Sequence, residues 1–277
     1  MILVTGAAGT IGQEVVKALV QRGVRFRAGH RRRPVQVPSG CESVEVDFTR
    51  PQTLGPALRG IETAFVLSND VASEANLVKA AAEAGVRRLV KLSVLAAPEE
   101  PFTFARWHRA IERNIEASGI PWTFLRPNGF LQNVVNFMGQ SIRAQKAIFT
   151  SAADASVSHV HARDIGAFAA RVLTEGGHEG RGYDLTGPAA ITYRDVARTL
   201  TTVLGHEVKV VAISDEDYKK GAVGAGIPDA YADALVDLNR AYRDGIAARV
   251  SPAVQQLLGR PAIGFETFAR ENAAALR

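Results

Sequence analysis

Apolar residues follow two rhythms along the first half of the chain. Short β-type runs, read at residues 2–5, 24–29, 43–46, 62–67, 88–92 and 121–125, alternate with stretches in which apolar positions recur at helical spacing. Ile11, Val15, Val16, Leu19 and Val20 mark the first helix, which Gly23 ends. A short helix is expected over 49–58, and an alanine-rich one over 74–84 that stops at Gly85. Residues 101–119 carry an inward stripe of Phe104, Trp107, His108, Ile111 and Ile115, with Arg109, Arg113 and Glu116 opposite. Strands alternating with helices in this way predict an α/β fold built on a doubly wound parallel sheet.

The later part of the chain changes character. Thr192 to Asp195 has the spacing of a capping box ahead of Val196, Leu200 and Leu204. Residues 207–213 are strand-like, and Ser214-Asp215-Glu216-Asp217 opens another helix. Tyr231, Leu235, Leu238 and Tyr242 line a longer helix, and Ser251-Pro252 starts a third. This is the pattern of a smaller, mostly helical C-terminal cap. A chain of 277 residues has room for one large domain or two modest ones.

Chemistry enters at the first strand, because Gly6-Ala7-Ala8-Gly9-Thr10-Ile11-Gly12 follows it at once and leads into the first helix. Gly6 permits a tight turn, Gly9 lets the backbone approach a pyrophosphate, and Gly12 lets the helix pack close to the sheet. The helix N-terminus adds free N–H groups and the positive end of its dipole. A strand, this loop, a helix and a second strand within about thirty residues make a Rossmann-type dinucleotide cradle. Its expected members are Thr5, Gly6, Gly9, Thr10, Ile11 and Gly12.

No acid follows the second strand to bind ribose hydroxyls. The run there is His30-Arg31-Arg32-Arg33-Pro34, and guanidinium groups suit a 2′-phosphate. NADPH is therefore expected over NADH, with Arg31 as the contact and the other arginines as a solvated loop. Asp47 and Phe48 end the third strand, where they suit either an adenine contact or a helix cap over a core aromatic. Ser68 and Ser93 end the fourth and fifth strands, at the edge expected to hold the nicotinamide.

Composition narrows the classes further. The net charge is +5, but basic and acidic residues alternate, and no zinc spacing or recognition-helix pattern accompanies Arg31–Arg33. Nucleic acid is not an expected partner. No apolar run reaches the length of a membrane span, and Cys41 is the only cysteine. The expectation is a cytoplasmic protein, monomer or homodimer, acting on a small molecule.

Taken together, the glycine loop, Arg31, Val46-Asp47-Phe48, Ser93, His108 with Glu112, residues 118–127 and Asn133 resemble the NmrA-like family of atypical short-chain dehydrogenases. Residues 159–166, Tyr183 to Pro188, Leu258 to Pro261 and Phe265 to Phe268 continue the likeness over essentially the whole chain. Among its members the bacterial quinone- and dye-reducing NAD(P)H oxidoreductases are the nearest in pattern. The resemblance implies a nucleotide domain of residues 1–128 and 152–181, with a substrate-binding cap of 129–151 and 182–277. Asn128, Phe130, Asn133 and Phe137 are then expected to line the substrate pocket, with Leu131 and Phe149 as further apolar wall.

An ordinary short-chain dehydrogenase pairs a tyrosine with a lysine four residues later. None of the five tyrosines here is followed in that way. In the isoflavone-reductase-like relatives a lysine does proton work on the fourth helix, and His108 occupies the matching position. His108 is thus the candidate catalytic residue, with Glu112 one turn on as its expected partner; a satisfied core histidine is the alternative. Hydride transfer to a quinone, enone, azo or dye acceptor asks chiefly for positioning, because the product anion is delocalised. His159 and His161 share a strand face but lack a third ligand, so no metal is expected. The rival function is a dinucleotide-binding redox sensor without turnover; the missing Tyr/Lys pair favours it, whereas a pocket-forming cap and an inward His108 favour the enzyme.

Overall fold

The computed structural model describes all 277 residues and contains two compact units. The first comprises Met1–Glu99, Ala105–Pro127 and Ala162–Asp184; the second comprises Glu100–Phe104, Asn128–His161 and Leu185–Arg277. In chain order the elements are β1 (Ile2–Val4), α1 (Thr10–Gln21), β2 (Phe26–His30), β3 (Glu42–Glu45), α2 (Leu54–Leu58), β4 (Thr63–Val66), α3 (Val71–Glu83), β5 (Arg88–Leu92), α4 (Thr103–Ala117) and β6 (Trp122–Pro127). After them come α5 (Gln132–Gln145), β7 (Ala147–Thr150), α6 (Ala162–Thr174), β8 (Arg181–Leu185), α7 (Tyr193–Leu204), β9 (Lys209–Ala212), α8 (Asp215–Gly224), α9 (Asp229–Arg243), α10 (Ala253–Leu258), α11 (Phe265–Glu271) and α12 (Ala273–Leu276).

Seven strands form one sheet in the order β3-β2-β1-β4-β5-β6-β8. β1 pairs in parallel with β2 on one side and β4 on the other, so the strand order reverses beside it. That reversal is the topological switch point at which open α/β sheets bind ligands. Leu3, Val4, Phe26, Ala28, Phe65, Val66, Leu89, Val90, Phe124 and Leu125 are buried, as strands covered on both faces require. α6 closes on α1 through Gly166, where a Cβ would lie 2.7 Å from Glu14 Cβ.

Several boundaries differ from the sequence pattern for local reasons. The helix expected over 49–58 breaks into a 3₁₀ turn over Pro51–Thr53 and a short α2, because Pro51 and Pro56 withhold amide donors. α3 starts three residues early at Val71, where the Asp70 carboxylate accepts from Ser73 N at 2.6 Å. Residues 152–161, expected with the nucleotide half, belong to the second unit. Val157 exchanges backbone hydrogen bonds with Ile191, and Ser158 N donates to the Ala247 carbonyl.

The second unit has its own core of Leu131, Val134, Ile142, Ile148, Val196, Leu200, Phe265, Phe268 and Leu276, with Tyr193 and Tyr242 among them. β7 and β9 form a separate parallel pair. The Thr192–Asp195 capping box is complete at the start of α7. No helix is long and apolar enough to cross a membrane.

Candidate active site

In the first unit the glycine loop leaves the carboxyl end of β1 through Gly6, whose φ of +62° is left-handed. Ala7 N donates to Gly29 O at 3.1 Å and Gly9 N to Gly6 O at 2.9 Å, which fixes the loop. A Cβ on Gly12 would lie 2.8 Å from Ala7 Cα, too close for any side chain; on Gly9 it would meet only the Gly6 carbonyl oxygen, at 3.3 Å. α1 begins after Gly9 with no side-chain cap and no acid in its first turn. The amides of Thr10, Ile11 and Gly12 therefore lack intrahelical acceptors and suit an anion. Arg31, Arg32 and Arg33 follow β2, are exposed and form no ion pair. A bare glycine cradle, an uncapped helix and an unpaired arginine fit a phosphorylated dinucleotide.

Other nominated side chains are already engaged. The Thr5 hydroxyl donates to Phe65 O at 3.0 Å and accepts from Leu67 N at 3.0 Å, tying β1 to β4. Asp47 accepts from the amide and hydroxyl of Thr49 and from Arg50, and the Thr49 hydroxyl leads in holding its carboxyl below the usual range. Beside it Phe48 is half-buried, its carbonyl taken by Asn76 Nδ2. Ser68 Oγ accepts from Asp70 N. Ser93 is buried, and its hydroxyl donates to Glu112 Oε1 at 2.7 Å.

Glu112 is where the pattern misled. Arg126 grips it with Nε on Oε1 and a terminal nitrogen on Oε2, each at 2.9 Å, and Arg109 adds a contact at 3.2 Å. With Ser93 as well, both oxygens of this buried carboxylate are occupied, so the expected His108–Glu112 pair does not form. His108 is 6% exposed and its Nδ1 has no hydrogen-bond partner. Burial first, then the charge of Lys91, holds its imidazole well below the ordinary range.

Lys91 itself was not legible as a site residue. It lies on β5 with no exposure, bound to Glu74 Oε2 at 2.9 Å and to Ser68 O at 2.6 Å. Burial lowers the lysine's pKa and raises the glutamate's, each partly offset by the other. The one available signal was a charge between Val90 and Leu92 in a strand buried on both faces.

In the second unit Asn128 is buried and spent on structure: Nδ2 donates to Ser158 Oγ and Ala247 O, and Oδ1 accepts from Gly129 N. Both amide protons are thus committed to structure, and Oδ1 keeps one lone pair. Phe130 and Asn133 are half-buried; the Asn133 backbone amide donates to Phe130 O at 3.0 Å, and no hydrogen bond engages its side-chain amide. Leu131 is core, and Phe137 is 71% exposed, so it forms no enclosed wall within its unit. His159 stacks edge-on against Tyr193, whereas His161 does so against Phe268. No group of three possible metal ligands gathers anywhere. Tyr193, Tyr242 and the bare Gly129 beside His159 escaped the sequence reading because their juxtaposition joins distant segments.

The family model described as the NmrA-like family matches residues 1–258. The chain is 36% identical to an NAD(P)H azoreductase of Xenophilus azovorans, over 99% of both chains. It is 38% identical to a (4-alkanoyl-5-oxo-2,5-dihydrofuran-3-yl)methyl phosphate reductase of Streptomyces griseus, again over 99% of both. Its structure superposes on that of an NADPH-dependent quinone oxidoreductase of Escherichia coli complexed with NADPH, with a TM-score of 0.84 and 26% identity, over 98% of this chain and 99% of the other.

Proposed function

The chain belongs to the NmrA-like family, and on that premise we propose that it is an NADPH-dependent oxidoreductase passing hydride to a small conjugated organic acceptor of quinone, enone, azo or dye type. The observation that carries the cofactor half is the Gly6–Gly12 cradle at the uncapped start of α1. The reduced nicotinamide supplies the hydride when bound. First-turn amides of α1 hold the pyrophosphate, and Arg31 holds the 2′-phosphate through charge-assisted bonds. Asp47 Oδ2, which accepts only from Arg50, retains a lone pair for an adenine amino group.

Burial, then Lys91, holds the His108 imidazole neutral near pH 7, so it acts as a hydrogen-bonding group rather than as an imidazolium acid. That suits an acceptor whose reduced anion is delocalised and takes its proton from water. Phe130 and Asn133 are the remaining substrate contacts of the expected set. We read the chain as a cytoplasmic monomer or homodimer with a small-molecule substrate and no nucleic-acid partner.

The test is to mix purified protein with NADPH and a panel of quinones, azo and triphenylmethane dyes and enones, and to follow nicotinamide absorbance. Sustained consumption with at least one class is expected. NADPH binding without consumption across the panel would favour nucleotide sensing.

A further inference from the structure

Tyr193 at the start of α7 and Tyr242 near the end of α9 are each 7% exposed and sit in the apolar core of the second unit. Neither hydroxyl makes a hydrogen bond within the chain. Tyr218, the neighbouring phenol, does: it bonds Asn239, which in turn donates to Ser151 Oγ. His159 lies edge-on to Tyr193, 5.9 Å between ring centroids, and its buried Nδ1 has no hydrogen-bond partner either.

His159 Nδ1 and Tyr242 Oη meet at Gly129, and Tyr193 borders them through the ring of His159. A Cβ there would lie 2.8 Å from His159 Nδ1 and 3.0 Å from Tyr242 Oη, so only glycine leaves the place open. His159 Nδ1 is fully withdrawn from solvent without a partner, which costs stability, and the two phenol hydroxyls beside it are left without a partner in the chain. The Gly129 backbone is the one group of the chain that acts on the His159 ring as a hydrogen-bond partner, and the two hydroxyls are free to take one from outside.

We propose that Tyr242 and His159, with Gly129 left bare beside them and Tyr193 against His159, form a neutral subsite that hydrogen-bonds a carbonyl oxygen of the acceptor. The proposal deepens the oxidoreductase reading and rests on it for the identity of the ligand. Charge argues for a carbonyl rather than a phosphate or carboxylate. Burial, then the neighbouring phenols, raises the pKa of both tyrosines, so they stay protonated donors, and no cation contributes. Arg240 and Arg243 on α9 are committed to Asp215, each at 2.9 Å. A quinone oxygen is a neutral acceptor on a flat apolar body, which matches two phenol donors set in an apolar core.

The experiment measures equilibrium binding of 1,4-naphthoquinone to protein saturated with NADP⁺, where no hydride is available, by titration calorimetry. Tyr193→Phe and Tyr242→Phe should each weaken binding about threefold, and the double variant about tenfold, with NADPH affinity unchanged. The single variants carry the test if the double variant does not fold. Unchanged quinone affinity in the variants, or an equal loss of NADPH affinity, would overturn the subsite. Quinone binding that weakens as expected in a protein that never consumes NADPH would keep the subsite and remove the oxidoreductase reading. Turnover by the wild type with undiminished quinone affinity in the variants would do the reverse.

Discussion

Lys91 Nζ and Glu74 Oε2 lie 2.9 Å apart with neither side chain exposed. The pair joins β5 to α3, and a second bond from the lysine to Ser68 O extends it to the end of β4. It also accounts for part of the electrostatics at His108, whose protonated form is opposed by burial and by the lysine charge. Burial leads in keeping the candidate catalytic residue neutral, and the charge of this structural pair's lysine adds to it.

Breaking one half of this pair leaves a buried charge without its partner. Lys91→Met should cost about 3–5 kcal/mol, while Lys91→Met combined with Glu74→Leu should recover most of it. Urea unfolding midpoints at pH 7 distinguish the two, and a single variant as stable as wild type would show the pair to be unimportant.

Arg31 should discriminate between cofactors. One charge-assisted bond is worth roughly 1.5–3 kcal/mol, so Arg31→Ala should weaken NADPH about tenfold or more and leave NADH nearly unchanged. Dissociation constants for both cofactors check this. An unchanged NADPH affinity would transfer the role to Arg32 or Arg33.

Gly9 and Gly12 should fail differently. A side chain at Gly12 strikes the Gly6–Ala7 backbone, so Gly12→Ala should lower the melting temperature. Gly9 has an ordinary φ of −83° and only one tight neighbour, so Gly9→Val should stay folded by circular dichroism and lose nucleotide binding. Retained NADPH affinity in folded Gly9→Val would reduce the loop to a turn.

Acid should destabilise the fold through its buried histidines. Burial pushes His159 down to about 4 from 6.5, and His108 moves the same way. The unfolded chain binds the proton first, so His159's contribution is complete above about pH 6.5 and is lost as the pH falls toward 4, on the order of 3 kcal/mol in all. Asp215 and Asp47, held low by Arg243 and Thr49, act below that window. Stability measured between pH 8 and 5 should fall, and His159→Gln should flatten the slope.

His108 should matter as a neutral hydrogen-bonding group. His108→Gln should keep most of kcat and His108→Phe should lose about tenfold or more, with kcat showing no inflection near pH 6.5. An inflection there that disappears in His108→Gln would restore the imidazolium acid.

Order along the chain was enough for the sheet and the cradle. Strand runs and glycine spacing are local, and a parallel sheet with its first turn at the switch point follows from them. Helix starts were less legible, because Asp70 caps α3 and Pro51 splits the second helix through bonds that an apolar stripe does not encode. His108 was correctly placed on an inward face, since helical periodicity reports direction. Its pairing was misjudged, since periodicity is silent about competitors from other elements.

The sequence by itself determined the alternation of strands and helices, the bare glycines before α1, the arginines after β2 and the absence of a Tyr/Lys pair. Tertiary structure alone decided which charges meet. Arg126 reaches Glu112 from the neighbouring strand, Lys91 reaches Glu74 across the sheet-to-helix layer, and Tyr242 and His159 come together at Gly129 from segments far apart in the chain. The reason is physical: backbone periodicity is a property of adjacent residues, whereas hydrogen-bond and ion-pair partners inside a fold are chosen by distance among all the groups withdrawn from water together.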